Sequence, residues 1–261
     1  MSGRNPILNL KNVSKAFGGL RAVDDVSFDI FEGEILGVIG PNGAGKTTLF
    51  NLVTHVYPLS SGEIWFKGQR IDKLAPYMVC RLGIARTFQD LQLFTNMSVV
   101  ENVMVGCHKW CRAGLLEDMF RFGRNKKEEP KIARQAMEQL LRFGLTERAF
   151  AWPASLPLRE RKLVGIARAL ASKPNCLLLD EPAGGLSLQE LEELGRVITA
   201  IVREQGITIV LVEHRMEMLM KLSDRVIVMN FGRTIFEGTP AEVQKDEQVI
   251  SAYLGEKRDW T

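Results

Sequence analysis

No apolar run in the 261 residues approaches the roughly 18 needed to span a bilayer, so any membrane contact is expected to come through a partner. The start, Met1-Ser2-Gly3-Arg4-Asn5-Pro6, has no apolar segment behind its one charge, and no secretory signal is expected. Cysteine is scarce: the four at 80, 107, 111 and 176 form no disulfide framework. Cys107-His108-Lys109-Trp110-Cys111 lacks a second pair at matching spacing, which favours free thiols of a reducing compartment over a zinc clip. The net charge of +3 is too small to argue for nucleic acid. The one dense basic block, Arg124-Asn125-Lys126-Lys127, reads as a solvated loop. Repeats and low-complexity segments are absent. What remains is an ordinary globular balance, 46% hydrophobic and 25% charged, in a length suited to one large domain or two tightly joined subdomains.

Against that plain background one segment stands out. Gly40-Pro41-Asn42-Gly43-Ala44-Gly45-Lys46-Thr47-Thr48 fits the phosphate-binding loop pattern G-x-x-x-x-G-K-[ST]. Glu34–Ile39 before it reads as a buried strand, and Thr48–Val53 after it as a helix. Glycines let the backbone wrap a polyphosphate with its N–H groups inward, and a helix N-terminus adds partial positive charge. In such a loop Lys46 reaches the β- and γ-phosphates and the Thr47 hydroxyl ligates Mg²⁺.

The rest of the chain alternates strand and helix patterns. Ile7, Leu8, Leu10 and Val13 mark a short strand, Gly18-Gly19 a turn, and Val26, Phe28 and Ile30 a second strand. Gly62–Gly68 reads as another, after which strand signals thin out until Leu177. From Asp90 to Ser155 the pattern is helical. Pro130 is expected in the first turn of a helix whose stripe is Ile132, Ala133, Ala136, Met137, Leu140 and Leu141, with Gly144 as its C-cap. A less regular stripe runs from Trp110 to Phe122. Arg161–Ser172 reads as helix, Cys176–Asp180 as strand, and Ser187-Leu188-Gln189-Glu190 as a capping box opening a helix that stops at Gly206. Ile207–Val212 and Arg225–Met229 complete the strands. This order implies a mainly parallel sheet with crossover helices.

Four further features narrow the chemistry. Leu177–Asp180 is an apolar strand ending in two acids. Asp180 suits a Mg²⁺ site, and Glu181 suits the orientation or deprotonation of a water in line with the γ-phosphate. His214 follows a strand, a position that faces the ligand crevice of an open α/β sheet, and could hydrogen-bond a γ-phosphate oxygen; a lone His is usually structural, so the assignment leans on its neighbours. Gln89 could ligate Mg²⁺ through its carbonyl and report on the γ-phosphate. Phe17, beside Gly18-Gly19, could stack on adenine or serve the core.

Together these residues resemble the ATP-binding cassette family of transport ATPases, in matching order from residue 7 to about 255. The resemblance implies an α/β P-loop NTPase: a mainly parallel sheet core with an antiparallel β subdomain (7–88 and 161–240), a helical subdomain (about 90–160) and a tail (241–261). It implies ATP as ligand, bound by Phe17 and residues 40–48, with Mg²⁺ held by Thr47, Gln89 and Asp180, and hydrolysis by Glu181, His214 and Gln89. A finer resemblance is to the ATP-binding subunits of branched-chain amino-acid importers, a group with relatives serving urea and short amides. It is carried by Phe17–Val23, Arg86–Gln89, Asp180–Leu186, Val212-Glu213-His214 and Ala252–Glu256. The segment 107–131 resembles the larger of that system's two ATPase subunits. Implied partners are a second ATPase subunit, transmembrane permeases and, indirectly, a solute-binding protein. The implied place is the cytoplasmic face of the inner membrane, and no nucleic acid is implied. Phe88, Leu91, Leu93 and Phe94 suit a permease contact.

Three departures qualify the resemblance. The family's Leu-Ser-Gly-Gly-Gln signature aligns with Leu156-Pro157-Leu158-Arg159-Glu160, which lacks the hydroxyl and both glycines. Ser187 stands where Asp or Asn is usual, and His55 where Gly is frequent. In the family each phosphate loop faces the partner's signature. The expectation is therefore a heterodimer with one competent site, built on this chain's phosphate loop; the alternative is that Arg159 and its helix N-terminus bind phosphate without the usual residues. A non-transport or regulatory cassette with weak hydrolysis is the competing function.

Overall fold

A computed structural model describes residues 6–88, 92–107 and 125–254. Gln89, Leu91, the Trp110–Phe122 stripe and the last residues of the tail lie outside them.

Three runs of five residues, β3 (Ile35–Ile39), β7 (Cys176–Asp180) and β8 (Thr208–Val212), are buried at every position. Strands covered on both faces need no polar alternation, and parallel pairing follows from the helical crossovers between them. They form the middle of a six-stranded sheet ordered β10-β9-β3-β8-β7-β6, with β6 Ile84–Arg86, β9 Arg225–Asn230 and β10 Arg233–Gly238. Every pairing is parallel except β9 with the edge strand β10. β6 was not expected. Its three residues are too few to carry a periodic signal, and it is held by pairing with β7.

The two faces of this sheet feed two cores. Ile35, Ile39, Leu177, Leu179, Ile209 and Leu211 point one way, toward the helices. Leu36, Val38, Leu178, Val210 and Val212 point the other way, toward a four-stranded antiparallel sheet. That second sheet is ordered β2-β1-β4-β5, from β1 Pro6–Phe17, β2 Leu20–Phe31, β4 Ser61–Phe66 and β5 Gln69–Arg70. Helix α1 (Lys46–Val53) shares its core through Leu49, Phe50, Leu52 and Val53. A short helix α2 (Pro76–Leu82) leads into β6.

On the helical side, α3 (Val99–Cys107), α4 (Asn125–Arg142) and α5 (Leu158–Ala171) pack on one another. Two boundaries differ from expectation. Pro130 lies inside α4, which begins at Asn125. Helix α5 starts at Leu158, directly after Pro157, not at Arg161. Ala136 and Leu140 are buried as the stripe requires, but Leu141, one residue from the helix end, is 68% exposed. Gly144, at φ 66°, closes α4 with the paired bonds Leu145 N–H to Leu140 O and Gly144 N–H to Leu141 O, the Schellman pattern. Helix α6 (Leu188–Gln205) opens on the expected Ser187–Glu190 capping box and stops at Gly206. Three short helices, α7 (Met216–Leu222), α8 (Pro240–Val243) and α9 (Glu247–Leu254), complete the fold.

Candidate active site

The sheet's register explains why distant motifs meet. Val212 of β8 pairs with Val38 of β3 on one side and with Asp180 of β7 on the other. The phosphate loop after β3, Glu181 after β7 and His214 after β8 therefore emerge from neighbouring strands at one edge, the carboxyl edge, where open α/β sheets bind ligands.

At its first and last glycines the loop packs on backbone that leaves no room for a side chain. A Cβ on Gly40 would meet Met229 O at 2.2 Å, and one on Gly45, at φ 99°, would meet Ala22 O at 2.3 Å. Gly45 is the N-cap of α1 and offers no side-chain cap, and the first turn carries no acid. That helix start therefore presents its positive end without a competing carboxylate. Lys46 is buried, its Nζ donating to Gly40 O at 2.5 Å and Pro41 O at 2.9 Å, so the ammonium is stationed inside the loop's own curve. Thr47 is exposed at the head of α1, and Thr48 is half-buried. A cleft of about 790 Å³ runs from Pro41, Asn42, Gly43 and Ala44 to Phe231 and the face of α9.

Glu181 holds a left-handed backbone, φ 48°, which a side chain with a Cβ adopts at a cost of about 1–2 kcal/mol. The strain is fixed by its N–H, which donates to Val212 O at 2.9 Å. The result is a carboxylate turned toward β8: Glu181 Oε1 lies 2.7 Å from His214 Nε2. Asp180, by contrast, is almost fully buried. Its Oδ2 accepts from Arg86 Nη2 at 2.6 Å, while its Oδ1 has no hydrogen-bond partner among the described residues. A buried carboxylate oxygen without a donor fits a hard divalent cation, which takes oxygen ligands.

Phe17 is 43% exposed beside its turn, its ring meeting Tyr57 edge-on at 5.3 Å. Lys15 Nζ lies 5.0 Å from the same ring. An open aromatic face so braced can receive a base.

A family model described as ABC transporter matches residues 23–184, and one described as branched-chain amino acid ATP-binding cassette transporter matches 233–259. The chain belongs to the ABC transporter family. It is an ABC-type ATPase cassette. The Escherichia coli (strain K12) protein named high-affinity branched-chain amino acid transport ATP-binding protein LivG is 37% identical over 96% of this chain and 98% of its own length. The protein of the same description named BraF, from Pseudomonas aeruginosa, is 36% identical over 96% of this chain and 98% of its own. Among solved structures, the ADP conformation of an ATP-binding cassette of an ABC transporter superposes with a TM-score of 0.84 at 30% identity, covering 97% of this chain and all of that one.

Within the ABC frame the departures acquire a local physics. Pro157 is the N-cap of α5 and makes no side-chain cap bond. Arg159 reaches away along the surface to Glu193, 2.7 Å. His55 takes the left-handed conformation, φ 58°, that explains why Gly is frequent there; its Nδ1 lies 2.7 Å from Leu74 O. Ser187 serves as a cap, a task Asp or Asn performs as well.

Three residues beside the site escaped the sequence reading. Arg86 pairs with Asp180 and donates to Asn51 Oδ1 at 2.6 Å, joining β6, β7 and α1. Glu213 is buried and bonded to backbone on both sides of the site. Lys162, from α5, is buried with its Nζ 3.4 Å from Glu181 O. The signal for each is a charged residue flanking or facing a recognised motif.

Proposed function

We propose that this chain is the ATP-hydrolysing subunit of an importer for branched-chain amino acids or a related small solute such as an amide or urea. The observation that carries the reading is the 2.7 Å contact of Glu181 with His214 at the strand edge that also bears the phosphate loop. Lys46 and the loop N–H groups bind the β- and γ-phosphates, and Phe17 stacks on the base. Glu181 orients the attacking water and takes its proton; His214 holds the Glu181 carboxylate and donates to a γ-phosphate oxygen. Thr47 and Asp180, with Gln89, are the residues that would hold Mg²⁺, which when bound offsets phosphate charge. Asp180 Oδ1, buried and without a hydrogen-bond partner among the described residues, supports that fit.

The reading extends to the assembly. A second cassette with an intact signature closes over this chain's ATP, and the reciprocal site, closed by Leu156–Glu160, is impaired. Pro157, Leu158 and Arg159 support this asymmetry, since none offers the hydroxyl or bare backbone a γ-phosphate needs. Permease subunits dock near the exposed Phe88 and Phe94, holding the cassette peripherally at the cytoplasmic face. Among the described residues no helix is long and apolar enough to cross a membrane. A solute-binding protein sets the cargo, which this chain never touches. Vesicle uptake of labelled leucine by the assembled transporter tests the reading: uptake should require ATP and vanish with Glu181→Gln. ATP-independent uptake, or turnover uncoupled from any permease, returns the chain to the regulatory class.

A further inference from the structure

The carboxylate of Glu213 is 2% exposed, yet the hydrolytic scheme does not use it. A buried acid is retained where its bonds organise something. Glu213 Oε1 accepts the backbone N–H of Ala183, in the loop that follows Glu181. Its Oε2 accepts from the N–H of His214 at 3.0 Å and of Arg215 at 3.4 Å. One side chain thus ties the segment after Glu181 to the segment bearing His214. From the third side Lys162 of α5 donates to Glu181 O, and its positive charge interacts with both Glu213 and Glu181.

We infer that Glu213 is a positioning residue for hydrolysis: its carboxylate clips the two loops together so that Glu181 and His214 stay in bonding register, and Lys162 anchors the clip to the signature helix. This rests on the reading of Glu181 and His214 as the hydrolytic pair. Several observations converge on it. The left-handed φ of Glu181 needs restraint from its surroundings, and the bonds that restrain it come from Val212 O, Lys162 and the Glu213 clip one turn later. Burial pushes the Glu213 carboxyl up, against the backbone N–H bonds it accepts from Ala183, Arg215 and His214, and pushes the Lys162 amine down, against the attraction of Glu213 and Glu181. Burying either charge is costly unless its bonds are satisfied, and here both side chains bond to the loops of the site. Because Lys162 lies on the helix that opens at Pro157, a shift of that helix reaches Glu181 within its own chain.

The test compares wild type, Glu213→Gln and Glu181→Gln in the assembled transporter. Gln keeps the volume but swaps one acceptor for a donor, opening half of the clip. Glu213→Gln should lower kcat about tenfold or more with KM for ATP within about twofold, since bonds to a charged group are broken away from the nucleotide. Amide exchange over residues 182–187 should quicken while that over 40–48 does not. An unchanged kcat, a loss carried by KM, or unchanged exchange at 182–187 overturns the proposal. If Glu213→Gln does not fold, Lys162→Met decides by the same two readouts, with the same outcomes for and against. Persisting turnover in Glu181→Gln overturns the hydrolytic reading and this proposal with it. Loss in Glu181→Gln beside full turnover in Glu213→Gln overturns the proposal alone.

Discussion

Arg86 Nη2 lies 2.6 Å from Asp180 Oδ2, an ion pair in which both side chains are buried. It joins the short edge strand β6 to the acidic end of β7, and the rings of Phe50 and Phe88 flank the guanidinium. The pair commits one Asp180 oxygen to Arg86 and leaves the other, also buried, without a hydrogen-bond partner among the described residues.

Breaking this pair from one side leaves an uncompensated buried charge. Arg86→Met should therefore destabilise the chain by about 3–5 kcal/mol in urea denaturation. Adding Asp180→Asn should recover part of that loss, because the stranded charge is removed. Additive losses in the double variant would show the two residues to be uncoupled.

Gly45 and Gly43 both have positive φ but differ in surroundings. Nothing lies within 4 Å of a Cβ on Gly43, whereas one on Gly45 meets Ala22 O. Gly43→Ala should cost only backbone strain, about 1–2 kcal/mol. Gly45→Ala should cost more and remove ATP affinity, because β2 and the loop must move apart. Thermal denaturation and nucleotide titration of the two variants check the order.

How much of this was legible beforehand depended on distance along the chain. The phosphate loop, the Asp180-Glu181 pair and the Ser187 capping box are local patterns, readable because each residue's neighbours in sequence are its partners in function. Arg86 and Asp180 are 94 positions apart, and Glu213 and Ala183 are 30 apart. Only the sheet order brings them together, and no local pattern encodes that order. Helix α5 begins three residues before the expected Arg161, because the Pro157 N-cap leaves the residues after it free to begin a helix. Leu141 keeps the helical spacing of its stripe yet is exposed, one residue from the helix end.

The Ser187 box titrates. Bonds from the Ser187 N–H and hydroxyl hold the Glu190 carboxyl below the ordinary range. A depressed folded value means the stabilisation is complete above the unfolded pKa and is lost as pH falls through the folded one. Ser187→Ala should cost about 1 kcal/mol at neutral pH and progressively less in acid. A cost independent of pH would place the effect elsewhere than the box.

Pro157→Ser should leave stability nearly unchanged. A serine cap with Glu160 at the third helical position gains about 1 kcal/mol, and losing proline's restraint on the unfolded chain costs about 0.4–1. Activity then becomes the readout. Combined with Leu158→Gly and Arg159→Gly, it should raise turnover of the assembled transporter by opening the second site. Unchanged turnover would mean that the native segment already serves, or that the partner's own residues limit that site.

The asymmetric assembly is tested most directly by placing a Glu→Gln change in one cassette at a time and measuring ATP turnover of the assembled transporter. Glu181→Gln in this chain should abolish most of the turnover, and the matching change in the partner cassette should cost little. Equal losses from the two changes would contradict the account.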